Sequence, residues 1–343
     1  MVSTIDSVVA AVGIADSPSA EPSIEADHLA KRYGETVAVA DVSFGVAPGE
    51  IFGYLGRNGS GKTTTVRMLT TLTRPSSGAA RVAGVDIAHA RLVREHIGVT
   101  MQEAALDDAM TGAEHLRFVA GLSGATRSAA RARAGELLEL VGLGQVAGER
   151  IGTYSGGMKR RLDIASALVG QPSVLFLDEP TTGLDPQSRR AVWDEIRSLQ
   201  ASGVTVFLTT QYIEEADRLA GRIAIVDAGA IIAQGTPGEL KAAHGRTTIA
   251  FEHDGDANAI SQVLGGTDGI EIELNADGRT VACLDTATSG DDSALRALDR
   301  IRAAGVSPRH LAVTETNLED VFVRLTGTGI NTPTGATSSE DGR

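Results

Sequence analysis

Gly56-Arg57-Asn58-Gly59-Ser60-Gly61-Lys62-Thr63 fits the pattern G-x-x-x-x-G-K-[ST], in which backbone N–H groups cradle nucleotide phosphates. Its flanks supply the context such a loop needs. Ile51-Phe52-Gly53-Tyr54-Leu55 reads as a short buried strand feeding the loop. Thr63 to Leu72 reads as the helix that follows, with Val66, Leu69 and Leu72 at helical spacing and a stop before Pro75. Gly59 and Gly61 let the backbone approach phosphate with no Cβ in the way. Lys62 is placed to reach the β- and γ-phosphates of a nucleotide such as ATP, and Thr63 to hold Mg2+ at the helix N-terminus. Gly56, Arg57, Asn58, Ser60 and Thr64 complete the expected nucleotide-binding set.

Working outward, Val174–Leu177 and Val204–Thr209 are apolar runs that read as central strands of a mostly parallel sheet. Asp178 then stands at the sheet's C-terminal edge, where α/β proteins hold ligands, and is a candidate Mg2+ ligand, directly or through water. Glu179 follows at once and is the candidate to polarise an attacking water. A strand-end carboxylate pair can also serve as a helix cap, but the upstream loop favours the chemical reading. Tyr154-Ser155-Gly156-Gly157-Met158 opens another helix with a hydroxyl and free N–H groups, a second anion site or, alternatively, a plain N-cap.

The loop, Ser155-Gly156-Gly157 and Leu177-Asp178-Glu179-Pro180 together resemble the ATP-binding-cassette (ABC) ATPases. The resemblance implies an α/β fold: a P-loop nucleotide-binding domain with a helical subdomain, followed here by a small α+β C-terminal domain. It implies that Asp185 is the D-loop aspartate and that Gln102, otherwise an ordinary polar residue after a strand, contacts Mg2+ and water and signals to a membrane subunit. Tyr33 matches the aromatic that stacks on adenine, the alternative being an ordinary strand aromatic. Ser155, Gly156 and Gly157 would close over ATP held by an opposite subunit, so the expected assembly is a homodimer.

Two positions depart from the family pattern. Arg57 stands where proline is usual, at a position that contributes backbone. Gln211 stands where the switch histidine is usual; its amide can donate to a γ-phosphate but cannot carry a proton. The run Tyr154 to Asp163, Thr209-Thr210-Gln211-Tyr212 and Leu318 to Gly327 resemble ATPase subunits of daunorubicin/doxorubicin-resistance-type exporters. That implies hydrolysis coupled to efflux of a lipophilic drug through a separately encoded integral membrane permease. The region from roughly Glu103 to Leu122 is the expected receiver of a permease helix, the alternative being a solvated loop. Related exporters with a non-drug cargo such as lipid, and soluble ABC ATPases acting on ribosomes or DNA, are the rivals.

Composition narrows the classes. Lys plus Arg is 31 against 44 Asp plus Glu, net charge −13, which argues against nucleic acid as a partner. The single cysteine, Cys283, permits no intramolecular disulfide and suits a reducing cytoplasm. No apolar run approaches the ~20 residues of a spanning helix. With the permease that the resemblance implies, the expected location is the cytoplasmic face of the cell membrane, held through that partner.

The expected organisation is a flexible leader over 1–22, an ABC ATPase domain over 23–244 with a helical subdomain at about 105–168, a C-terminal α+β domain over 245–327, and a disordered tail over 328–343. Ile24 to Glu50 reads as short strands and turns, Thr111-x-x-Glu114 as a capping box, and Ala129–Val141 as helix. Beyond Gly245, strands at Thr247–Phe251, Ile270–Leu274, Thr280–Leu284 and Leu311–Thr314 alternate with helices at Ala257–Leu264 and Ser293–Ala304 in a ferredoxin-like order. A last helix, Leu318–Leu325, carries an expected capping box at Thr316-x-x-Glu319.

Overall fold

The computed structural model describes residues 21–103, 105–252, 270–274, 279–285, 299, 302–303, 309–314 and 317–327. Ile24 to Val46 forms two long antiparallel strands, β1 (Ile24–Tyr33) and β2 (Thr36–Val46), where the sequence suggested shorter pieces. Register shifts between Ala26 and Arg32 break the alternation of apolar residues, which is why the pattern looks interrupted. Strand β3 (Ile51–Gly56) enters the glycine-rich loop, and helix α1 (Lys62–Leu69) leaves it. The helix stops short of Leu72 because Thr71 takes a positive φ of 62°, so Leu72 is exposed and not the core contact its spacing suggested.

The chain continues through β4 (Ser77–Val82), β5 (Val85–Asp86), α2 (Ala90–His96) and β6 (Ile97–Thr100). Then come three helices, α3 (Gly112–Leu122), α4 (Arg127–Leu140) and α5 (Gly156–Ala167). Thr111 and Glu114 form the expected capping box on α3. Strands return as β7 (Val174–Asp178), β8 (Thr205–Thr210), β9 (Arg222–Asp227) and β10 (Ala230–Gly235). Between and after them lie α6 (Pro186–Ala201), α7 (Ile213–Leu219) and α8 (Pro237–His244).

The ten strands form one sheet in the order β5-β4-β1-β2-β10-β9-β3-β8-β7-β6. Its segment β9-β3-β8-β7-β6 is parallel throughout. Both faces of these strands are covered, which explains their continuous apolar runs. Leu175, Leu177, Val206 and Leu208 point to a core shared with α3 to α6. Val174, Phe176 and Phe207 point the other way, toward α1 and the β1–β2 hairpin. There Phe207 packs within 5.5–5.8 Å of Phe44, Phe52, Tyr54 and Phe176.

A second, antiparallel sheet has the order β12-β13-β11-β14, built from β11 (Arg246–Glu252), β12 (Ile270–Leu274), β13 (Arg279–Asp285) and β14 (Arg309–Thr314). Nearest neighbours run antiparallel, as a ferredoxin-like order requires. The expected helix Ala257–Leu264 lies outside the described residues, as does most of Ser293–Ala304. Helix α9 (Leu318–Thr326) follows, and its capping box is Asn317 with Asp320, one residue beyond the expected pair, because Asn317 Oδ1 accepts the Asp320 N–H at 2.8 Å. Leu318, Val321 and Phe322 bury against α7, α8 and Leu55 of β3.

Candidate nucleotide site

The loop after β3 folds around Lys62. Gly61 has φ 99°, and a Cβ there would meet the Ala38 carbonyl oxygen at 2.5 Å, so this close turn admits only glycine. Lys62 Nζ donates to the carbonyls of Gly56 and Arg57, each at 2.9 Å, and lies 3.1 Å from Glu179 Oε1. Arg57 thus meets Lys62 through its backbone carbonyl. Burial pushes the Lys62 ammonium below the ordinary lysine value, and Glu179 opposes that shift.

Glu179 sits at the tip of β7 with φ 48°, a left-handed backbone uncommon for glutamate. Its amide donates to the Thr209 carbonyl and to Thr209 Oγ1, each at 3.1 Å, and its Oε2 accepts from Thr182 Oγ1 at 3.2 Å. Asp178 is fully buried beside it. Its Oδ1 accepts from Thr209 Oγ1 at 2.6 Å, whereas the buried Oδ2 has no hydrogen-bond partner. Thr209 therefore anchors both members of the pair, a role hidden in the sequence because the residue simply ends an apolar strand.

Lys62 and Glu179 meet at a cavity of about 420 Å³, within the usual range for a small-molecule site, whereas Asp178 and Thr209 are not on its wall. Asn58, Gly59, Gly61, Lys62, Thr63 and Thr64 line it from the loop and helix side. Gln102 and Glu179 line it from the strand ends, and Thr36, Val37 and Ala38 from the hairpin. The hairpin residues are ones that sequence reasoning missed, since nothing local in Thr36-Val37-Ala38 marks them.

Other expected site residues are not on the wall of this cavity. Tyr33 is 46% exposed at the hairpin tip, paired with Thr36 in register and with Lys31 Nζ 4.9 Å over its ring. Ser60 is buried, its Oγ without a partner. Gln211 lies in the turn between β8 and α7. Ser155 is exposed and caps α5, accepting the Met158 N–H at 3.2 Å. Behind it Gly157 packs so tightly that a Cβ would stand 2.6 Å from Ser188 Oγ. Exposed Asp185 caps α6, and Ser188 Oγ, donating at 2.6 Å, holds its carboxyl below the ordinary aspartate value.

Among the described residues no group of three or more His, Cys, Asp or Glu could hold a metal ion. That still fits Mg2+ in a phosphate site, which draws most of its oxygens from water and phosphate and needs one or two protein ligands. The unpartnered Asp178 Oδ2 and the cavity-lining Thr63 are suited to that sparse share. Also among the described residues, no helix is long and apolar enough to cross a membrane.

The family model described as ABC transporter matches residues 39–182. The daunorubicin/doxorubicin resistance ATP-binding protein of Streptomyces peucetius is 44% identical over 308 residues, covering 89% of this chain and 92% of that protein. The Nod factor export ATP-binding protein I of Ralstonia nicotianae is 39% identical over 308 residues, covering 89% and 94%. Among solved structures, cbiO1 of Clostridium perfringens, part of an ABC transporter complex, superposes with a TM-score of 0.61 at 27% identity, covering 66% of this chain and 93% of that one. With the phosphate loop, the strand-end carboxylates and these relatives, the chain belongs to the ABC transporters as an ATP-binding, ATP-hydrolysing subunit of the daunorubicin/doxorubicin-resistance type.

Proposed function

We propose that the chain hydrolyses Mg-ATP to power efflux of an antibiotic or similar lipophile through a separate membrane permease, acting as a homodimer on the cytoplasmic face of the membrane. The observation that carries this reading is Glu179, held 3.1 Å from Lys62 on the wall of the phosphate-loop cavity. Lys62 and the loop amides bind and orient the β- and γ-phosphates. Glu179 takes a proton from the attacking water, and Gln102 and Gln211 orient that water and sense the γ-phosphate. Thr63, Asp178 and Gln102 would hold Mg2+, which supplies charge neutralisation on the phosphate oxygens. Tyr33 stacks on the adenine from the hairpin tip. Exposed Ser155 and Gly156, with buried Gly157 behind them, serve the ATP of a second copy, with exposed Asp185 at the same junction. Gln102 passes the state of the site to α3, where Phe118 and Leu122 are exposed for a permease to cover.

The S. peucetius relative supports the drug as cargo. The Nod factor relative, at similar coverage, supports a second reading, a related exporter of a non-drug cargo such as lipid. Reconstitution in lipid vesicles with the neighbouring permease tests the proposal by ATPase rate and drug efflux. Efflux is expected only with both proteins, and to fail with Lys62→Ala. Drug transport by this chain alone would refute the model, and ATP-dependent lipid transport without drug transport would favour the second reading.

A further inference from the structure

Arg160 belongs to the basic run Lys159-Arg160-Arg161 and so reads as a solvated helix face, yet it is only 7% exposed. Its guanidinium lies inward from α5 against the ends of two strands. Nε donates to the carbonyl of Pro180 at 2.8 Å, and Nη2 donates to the carbonyl of Asp178 at 3.0 Å. Those carbonyls flank Glu179 on either side. Nη1 donates to the carbonyl of Met101 at 2.8 Å, the peptide that leads into Gln102, and to Asp163 Oδ2 at 3.0 Å.

We propose that Arg160 is a positioning residue for hydrolysis, its guanidinium clamping the main chain on both sides of Glu179 and tying to it the peptide before Gln102. The helix that opens at Ser155 and the two cavity-lining side chains then share one anchor. The inference rests on the reading of Glu179 as the base.

Three features separate a clamp from an ordinary buried ion pair. Charge neutralisation needs only Asp163, yet three of the donor contacts go to carbonyls. A planar fork with fixed donors suits that geometry, and a lysine ammonium on a flexible stem does not. Moreover, Glu179 holds a left-handed backbone, which persists only where the surroundings over-determine it. Thr209 fixes the Glu179 amide, and Arg160 fixes the carbonyls before and after it. Arg160 itself is not among the residues lining the cavity, so it acts through Glu179 and not on the nucleotide.

The test uses the full chain, with thermal stability, ATP affinity, kcat and KM measured for Arg160→Lys and for the double variant Arg160→Gln/Asp163→Asn. The first keeps a charge facing Asp163; the second removes both buried charges, so folding survives in one if not the other. Both should lose kcat by ~10–10², the usual effect of slight misplacement of a catalytic group, with KM and ATP affinity within about twofold. Added to Glu179→Gln, Arg160→Lys should cause little further loss. Wild-type kcat in a folded variant, a loss carried by KM alone, or the full Arg160→Lys loss on top of Glu179→Gln would each overturn the clamp. Wild-type turnover by Glu179→Gln sinks the base assignment and the clamp with it. A slow Glu179→Gln beside a fast Arg160→Lys sinks the clamp alone.

Discussion

Lys62 and Glu179 form the tightest electrostatic unit of the cleft, each buried and 3.1 Å apart. Removing one leaves the other uncompensated, so their variants should differ in kind. Glu179→Gln keeps the shape and the Thr182 contact while losing the charge and the base. ATP binding should be retained and turnover should fall by ~10²–10⁴, the range for a lost general base. Rapid-quench or coupled-assay turnover near the wild-type rate would rule the assignment out. Lys62→Ala strands a buried carboxylate and removes the cation facing the phosphates. Nucleotide titration should show weakened binding, and thermal melting a lower Tm than that of Glu179→Gln. The motif residues were legible because each is encoded by neighbours in sequence. Arg160 and Thr209 were not, because their roles come from strand ends brought together across the sheet.

Helix α6 carries a titrating group of a different sort. Glu195 Oε1 is buried with no hydrogen-bond partner, and burial pushes the carboxyl up to about 7, which Arg161 offsets only in part. Between the ordinary glutamate value of 4.5 and about 7 the folded chain keeps a proton that the unfolded chain has released. Stability contributed here is full at low pH and is lost as pH rises through that interval. Glu195→Gln cannot titrate and should remove this component. Melting both proteins at pH 5 and pH 8 isolates it, since Asp163, pushed up to about 6 by burial, titrates in both. The variant should gain roughly 2–4 °C over the wild type at pH 8 relative to pH 5. An equal pH slope in the two proteins would show that Glu195 keeps its charge in the fold. Element ends followed their local chemistry where a cap was unambiguous, as at Thr111 and Glu114. At α9 the sequence pointed to Thr316 with Glu319, and the helix is capped one residue later, by Asn317 with Asp320.

On the scale of the whole molecule, the large sheet gathers β3, β6 and β7 so that the segments leaving their C-terminal ends line one cavity. The parallel core was readable from apolar runs, whereas the closure of one side by the β1–β2 hairpin was not, since its contacts are long-range and its register is irregular. The same limit hid the packing of α9. The sequence marks it as a capped amphipathic helix, but not that Val321 and Phe322 are fully buried in a cluster with Leu55, Ala216, Ile223, Ile225 and Leu240. Leu55 immediately precedes Gly56, so this cluster supports the strand that delivers the phosphate loop. A chain ending near Ala243 keeps every cavity residue and should still bind ATP, but it uncovers that cluster. Phe322→Ala isolates the effect without removing the C-terminal sheet. Loss of a buried phenylalanine costs ~3–5 kcal/mol, which should lower Tm by roughly 5–15 °C. ATP affinity measured well below that melting temperature should stay within about threefold of the wild type, because no atom of the cavity wall changes. An unchanged Tm in Phe322→Ala would mean that α9 rests on the ATPase core without stabilising it, and a complete loss of ATP binding in the folded variant would place α9 in the nucleotide site itself.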